Sequence, residues 1–122
     1  MRSPIKRTAW LPHYRFFVAG EVGAADEIPK RLPRKAVILV SQAGRAMWAA
    51  FDCPCKRRHR LMVNLDSRRK PYWRIVPTSG LTLSPSIDTL DHGVRCHFLL
   101  RSGRAQWVGA TSSVGGQNDD CR

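Results

Sequence analysis

The 122-residue chain predicts a mostly β, single-domain fold with little helix: a small twisted antiparallel sheet or partly open barrel stapled by a zinc site. Three observations lead there. Short runs rich in aromatic and β-branched residues recur between Gly, Pro, Ser and Asp punctuation, which is how strands and turns read. No segment holds a helical apolar period over three turns. Cys53-Pro54-Cys55 and His59 are answered far downstream by Cys96-His97, a donor set suited to zinc. The length fits one domain, and the 43% hydrophobic content argues against general disorder.

Residues 1–13 are basic and contain Pro4 and Pro12, so they read as a loosely held arm. Residues 15–19 have strand composition, ended by Gly20 and Gly23. Pro29 and Pro33 disfavour a long helix in the segment that follows. Residues 36–40 form a continuous apolar run of strand length. Residues 46–51 form a second strand, joined to the first as a hairpin through Gly44-Arg45. Pro54 cannot donate to a ladder, so the strand should end or bulge there. Residues 59–65 alternate, with Leu61, Val63 and Leu65 on one face and Arg60, Met62 and Asn64 on the other. After a charged turn at residues 66–71, residues 72–76 read as a strand with Trp73 and Ile75 on one face. Residues 81–83 form a short strand broken by Ser84-Pro85-Ser86. Residues 96–100 and 105–108 form the last hairpin about Ser102-Gly103. The Cys/His domain is thus expected over residues 14–109, followed by a disordered, Gly-rich tail at 110–122. Trp10, Trp48, Trp73 and Trp107 are expected in the core or at its edge.

Lys and Arg total 21 against nine Asp and Glu, a formal charge of +12. Such a field draws polyanions or acidic protein surfaces. No stretch approaches the roughly 18–20 apolar residues of a membrane span. Arg15, Glu21 and Asp26 interrupt the N-terminal apolar run, so it fails as a signal peptide. A cytoplasmic protein without a membrane partner is expected. In a reducing compartment its cysteines would mark metal binding or catalysis rather than a disulfide framework.

Zinc favours four thiolate or imidazole ligands in a tetrahedron, often two from one tight turn and two from a distant segment. Cys53 and Cys55 supply the turn, with Pro54 to bend it. Adjacent Cys96 and His97 are harder to combine, because consecutive strand residues point to opposite faces. Either the backbone turns at residues 93–96 or only one of the two binds, and His97 is then preferred, with His59 completing the shell. A shell of three ligands plus water would be catalytic, a closed shell structural. Ser84 and Ser86 lie just ahead of the Cys96-His97 strand and could serve a reaction centre. The alternative is that they satisfy a turn. Asp52, Asp88, Asp91 and Glu27 are candidate general bases.

Taken in order, Ile28-Pro29, Phe51-Asp52-Cys53-Pro54-Cys55, His59-Arg60, Trp73-Arg74, Thr82-Leu83-Ser84-Pro85-Ser86-Ile87, Cys96-His97-Phe98, Gly103 and Trp107 resemble a family of small bacterial Cys/His domains. Its members are encoded beside ubiquitin-like proteins and their E1-like and E2-like conjugating enzymes. The resemblance covers about residues 15–108. It implies a zinc-dependent peptidase that processes a ubiquitin-like protein or removes it from conjugates. It further implies Cys53, Cys55 and His97 as metal ligands, supplemented by Cys96 or His59, with Ser84 and Ser86 at the reaction centre; apart from the resemblance, His59 is also a catalytic candidate. Where many members continue with glycine and a third cysteine, this chain has Lys56 and Arg57, so His59 replaces that thiolate or the site is more open. The competing expectations are a zinc-stapled, basic nucleic-acid-binding domain and an inert partner module of a conjugation complex.

Overall fold

In a computed structural model of the chain, residues 15–55, 57–78, 80–91 and 93–108 are described. The arm expected at 1–13 and the tail expected at 110–122 lie outside them, as does Trp10. Eight strands and one short 3-10 turn, Ala25–Glu27, make up the regular structure of the described residues. The strands are β1 (Phe17–Val22), β2 (Ala36–Gln42), β3 (Arg45–Asp52), β4 (Arg60–Asn64), β5 (Arg74–Thr78), β6 (Gly80–Asp91), β7 (Val94–Arg101) and β8 (Arg104–Trp107). They form two four-stranded sheets in sequential order, β1 to β4 and β5 to β8. The mostly β expectation holds, and no closed barrel forms.

The core explains the pairing of layers. Val37, Ala49, Phe51, Leu61 and Val63 of the first sheet meet Leu81, Leu83, Ile87, Phe98 and Leu100 of the second. Phe16, just before β1, joins them edge-on to Phe51, ring centroids 5.4 Å apart. The expected alternation of β4 is kept: Leu61 and Val63 are buried while Met62 faces solvent. β2 is apolar on both faces because both are covered. Val37 faces the second sheet, while Ala36, Ile38 and Val40 pack with Val22, Leu32 and Ile28 beneath the 23–35 connection.

That connection also makes β1 parallel to β2, the one pair that departs from an antiparallel sheet. A parallel pair needs a crossover of about a dozen residues or more, which residues 23–35 provide. β1 itself begins and ends later than the residues 15–19 expected. The β2–β3 hairpin turns through Ala43 and Gly44, both at positive φ.

A second departure concerns Ser84-Pro85-Ser86. The strand does not break there: β6 runs continuously from Gly80 to Asp91. Its register against β7 shifts between Leu83, opposite Leu100, and Ile87, opposite Phe98. Residues 84–86 therefore bulge against one residue of β7, which takes Pro85 out of the ladder it cannot serve. Trp73 likewise falls just before β5 rather than within it, and works as a bridge. Its backbone N–H donates to Asn64 O at 2.8 Å, and its indole Nε1–H donates to Ser86 O at 3.1 Å. Trp107 packs edge-on to Phe98, centroids 5.5 Å apart.

The sheets are pinned at one corner by Gly103 (φ +82), where a Cβ would lie 2.7 Å from Arg15 Cβ and 2.9 Å from Phe16 O. Close approach there lets Gly103 O accept from Phe16 N–H and Gly103 N–H donate to Leu81 O, both at 2.7 Å. Among the described residues no helix is long and apolar enough to cross a membrane.

Candidate functional site

β3 and β4 are joined by a loop that closes on itself. Cys53 N–H donates to His59 O at 2.8 Å, and Arg58 N–H donates to Cys55 O at 3.1 Å. Arg58 takes positive φ to complete the bend. The loop thereby turns Cys53, Cys55 and His59 inward. From the opposite sheet, β7 contributes Cys96. The donor atoms of these four residues all lie within 4.8 Å of one another, and the three cysteines are buried. Cys96 Sγ stands 3.5 Å from His59 Nε2. A tetrahedral zinc with thiolate and imidazole bond lengths would separate such a pair by roughly 3.6 Å, so the donor set fits an ion of that kind. Cys53 and Cys55 are free thiols. A thiolate, not a thiol or disulfide, ligates a metal ion, so the set is complete when Cys96 is reduced.

His97 lies elsewhere. On β7, Cys96, Phe98 and Leu100 are buried while His97 is half-buried on the other face, as strand alternation requires. Of the adjacent pair it is thus Cys96 that joins the cluster. His97 Nε2 instead lies 3.0 Å from Ser86 Oγ, within hydrogen-bond distance. The bulge makes this contact, because it sets Ser86 next to the β6 residue opposite His97. That residue is Asp88. Two charge-assisted bonds from Arg95, 2.9 Å from Nε and 2.7 Å from Nη2, hold Asp88 below the usual carboxylate range.

Ser84 pairs with Arg74 on β5, and among the described residues Ser86 is the serine hydrogen-bonded to His97. His59 belongs to the sulfur cluster. Asp52 receives Arg60 Nε at 3.0 Å and Arg58 Nη2 at 3.4 Å, so it serves as a structural counter-ion. Sequence reasoning missed the Ser86–His97 pairing and the bracing of Ser86 by Trp73. The signal for the first was the offset a bulge at Ser-Pro-Ser would create. Nothing in the spacing pointed to the second.

Comparison with known families finds a match over residues 24–108 to the family described as bacterial ubiquitination-like system serine protease (BubE). No curated protein and no solved structure gives a significant match.

Proposed function

This chain belongs to the BubE family of bacterial ubiquitination-like system serine proteases, and from that premise we propose that it cleaves a ubiquitin-like protein, or its conjugates, with Ser86 as nucleophile and His97 as general base. The observation that carries the reading is the 3.0 Å approach of Ser86 Oγ to His97 Nε2. A serine hydroxyl is a weak nucleophile until a neighbouring imidazole takes its proton. Nε2 would accept that proton as Oγ attacks the scissile carbonyl, then return it to the leaving group as the bond breaks. Water activated by the same imidazole would release the acyl group and regenerate Ser86. Asp88, kept ionised by Arg95, stabilises the positive charge that arrives on the ring. Trp73 fixes the backbone of the nucleophile through Ser86 O.

In this reading zinc is held by Cys53, Cys55, His59 and Cys96. Four protein donors would close its coordination shell, and the ion would then clasp β7 of one sheet to the β3–β4 loop of the other. The sequence-based expectation of a zinc-centred hydrolase with His97 among the ligands is replaced by a zinc-stapled serine enzyme. The ubiquitin-like protein and its conjugating enzymes remain the proposed partners and the cytoplasm the proposed location.

The test is covalent labelling of the reduced, zinc-loaded protein with a fluorophosphonate, read by mass spectrometry. The expected result is one adduct on Ser86, lost in Ser86→Ala and in His97→Ala. Labelling absent from wild type, or retained in Ser86→Ala, overturns the reading. The nucleic-acid alternative rests on net charge alone, with no structural observation to favour it.

A further inference from the structure

The second sheet has an interrupted edge. β5 pairs with β6 only from Gly80 to Ser84, so beyond Ser84 the β5 side of β6 has no strand against it among the described residues. Across from it, β4 is the last strand of the first sheet, and among the described residues no strand pairs with its outer edge, where Trp73 N–H meets Asn64 O. Between these two edges runs a groove of about 330 Å3. That is the small end of the ligand-pocket range and suits a strip of chain rather than a folded element. Leu61, Val63, Ile87 and Trp73 line its depth, and Met62 and Leu90 line its rim. The rim mixes two exposed apolar side chains, Met62 at 40% and Leu90 at 72%, with Arg60, Asp88 and Thr89.

The groove has a direction. Trp73 ties the Asn64 end of β4 to Ser86, so the dyad marks one end. Arg60, at the other end of β4, lies toward Leu90. There Arg60 also borders a second, wider depression of about 690 Å3 lined by Lys30, Arg31, Arg58 and Asp52. Four cations face one carboxylate in it. Arg60 itself fixes this basic lip, its Nη2 donating to Pro29 O at 3.3 Å and Lys30 O at 2.9 Å. Lys30 and Arg31 are exposed.

We propose that the groove between the free edges of β4 and β6 receives the acyl side of the substrate as an added extended strand, whose acidic side chains reach the basic lip at Lys30 and Arg31. The proposal rests on Ser86 being the nucleophile. Unpaired strand edges give main-chain hydrogen bonds to any extended peptide, and the pockets beside them set the preference. The acyl side is the part that stays attached through both chemical steps, so binding energy placed there serves each of them. From Ser86 to Leu90 a strand advances roughly 13 Å, which places the preferred acidic residues about four to five positions from the cleaved bond.

The probes are fluorescent heptapeptides with two glutamates at those positions, a lysine-substituted counterpart, and a version N-methylated at alternate amides. Binding is read by anisotropy on reduced, zinc-loaded Ser86→Ala, which cannot turn them over. We expect the glutamate peptide to bind at least about tenfold more tightly than either counterpart, and Lys30→Glu with Arg31→Glu to reverse the charge preference. Leu90→Asp, at the rim of the groove, should weaken the glutamate peptide. No binding of the glutamate peptide, equal binding of the N-methylated peptide, or charge reversal without effect on preference each overturns the proposal. Failure of fluorophosphonate labelling with peptide binding intact would instead sink the serine mechanism and leave the groove standing.

Discussion

Cys96 and His97 are neighbours in the chain and opposites in the molecule. One points into a buried set of sulfur and imidazole donors drawn from both sheets; the other points to a half-exposed face and meets Ser86. One β-strand therefore carries one side chain of a candidate metal cluster on its inner side and one of a serine–histidine pair on its outer side. The coordination set separates the roles: three buried thiols and His59 converge on one point, whereas Ser86 is tied by Trp73 to an open groove that Trp73 lines. In the proposed arrangement a metal requirement and serine chemistry would be compatible, because an ion held there would act on the reaction only by keeping β7 in place.

The sharpest way to separate the two faces is Ser86→Ala. Peptide turnover should fall at least about a thousandfold, as when other serine enzymes lose their nucleophile, while zinc content and Tm stay at wild-type values. A loss of bound metal together with activity would merge the two faces and break the comparison. Cys55→Ala should do the converse, lowering metal content and stability together. A loss of about 2–3 kcal/mol corresponds to a Tm drop of roughly 10 °C or more in a domain of this size, measurable by scanning calorimetry alongside metal analysis. Zinc uptake should also fall after thiol oxidation and return with reductant, since only thiolates ligate. Trp73→Phe sharpens the outer face. It keeps an aromatic ring and removes the donor to Ser86 O, so kcat should fall about fivefold.

The smallest effect concerns neither face and serves as a control. Asp66 accepts Arg68 N–H at 3.1 Å and Arg68 Nε at 2.9 Å, and these bonds hold its carboxyl below the ordinary carboxylate range. A depressed carboxylate contributes stability above its unfolded pKa and loses it as pH falls through the folded value. Denaturant midpoints of Asp66→Asn and wild type should therefore differ most near neutrality and converge in acid, with metal-independent behaviour. A constant difference across the acid range would show that the Arg68 bonds do not set the shift.

How much of this was legible varied with the kind of signal. Alternation in β4 and the apolar run of β2 announced themselves, because burial follows side-chain direction and that is periodic in the sequence. Cys53, Cys55 and His59 were legible as a group because one loop holds them. The bulge was not. Pro85 reads as a strand breaker, yet a chain flanked by a continuing partner strand can keep its course and displace the offending residues, a choice made by β7 and invisible locally. The parallel β1–β2 pair was hidden for a similar reason, since the crossover that permits it contains only a single 3-10 turn. The same alternation that made the Cys96-His97 pair a puzzle resolved it once the inner face was known, for Phe98 and Leu100 fix which side Cys96 must take.

The near-complete enclosure of Cys53, Cys55 and Cys96, at 1%, 2% and 0% exposure, governs how fast outside reagents can act on them. A chelator or thiol-modifying compound added to the loaded protein must wait for the sheets to part locally before it reaches a sulfur. Its rate should then level off at high reagent concentration, at a ceiling equal to the opening frequency, while a phosphonate arriving at the serine meets no such ceiling.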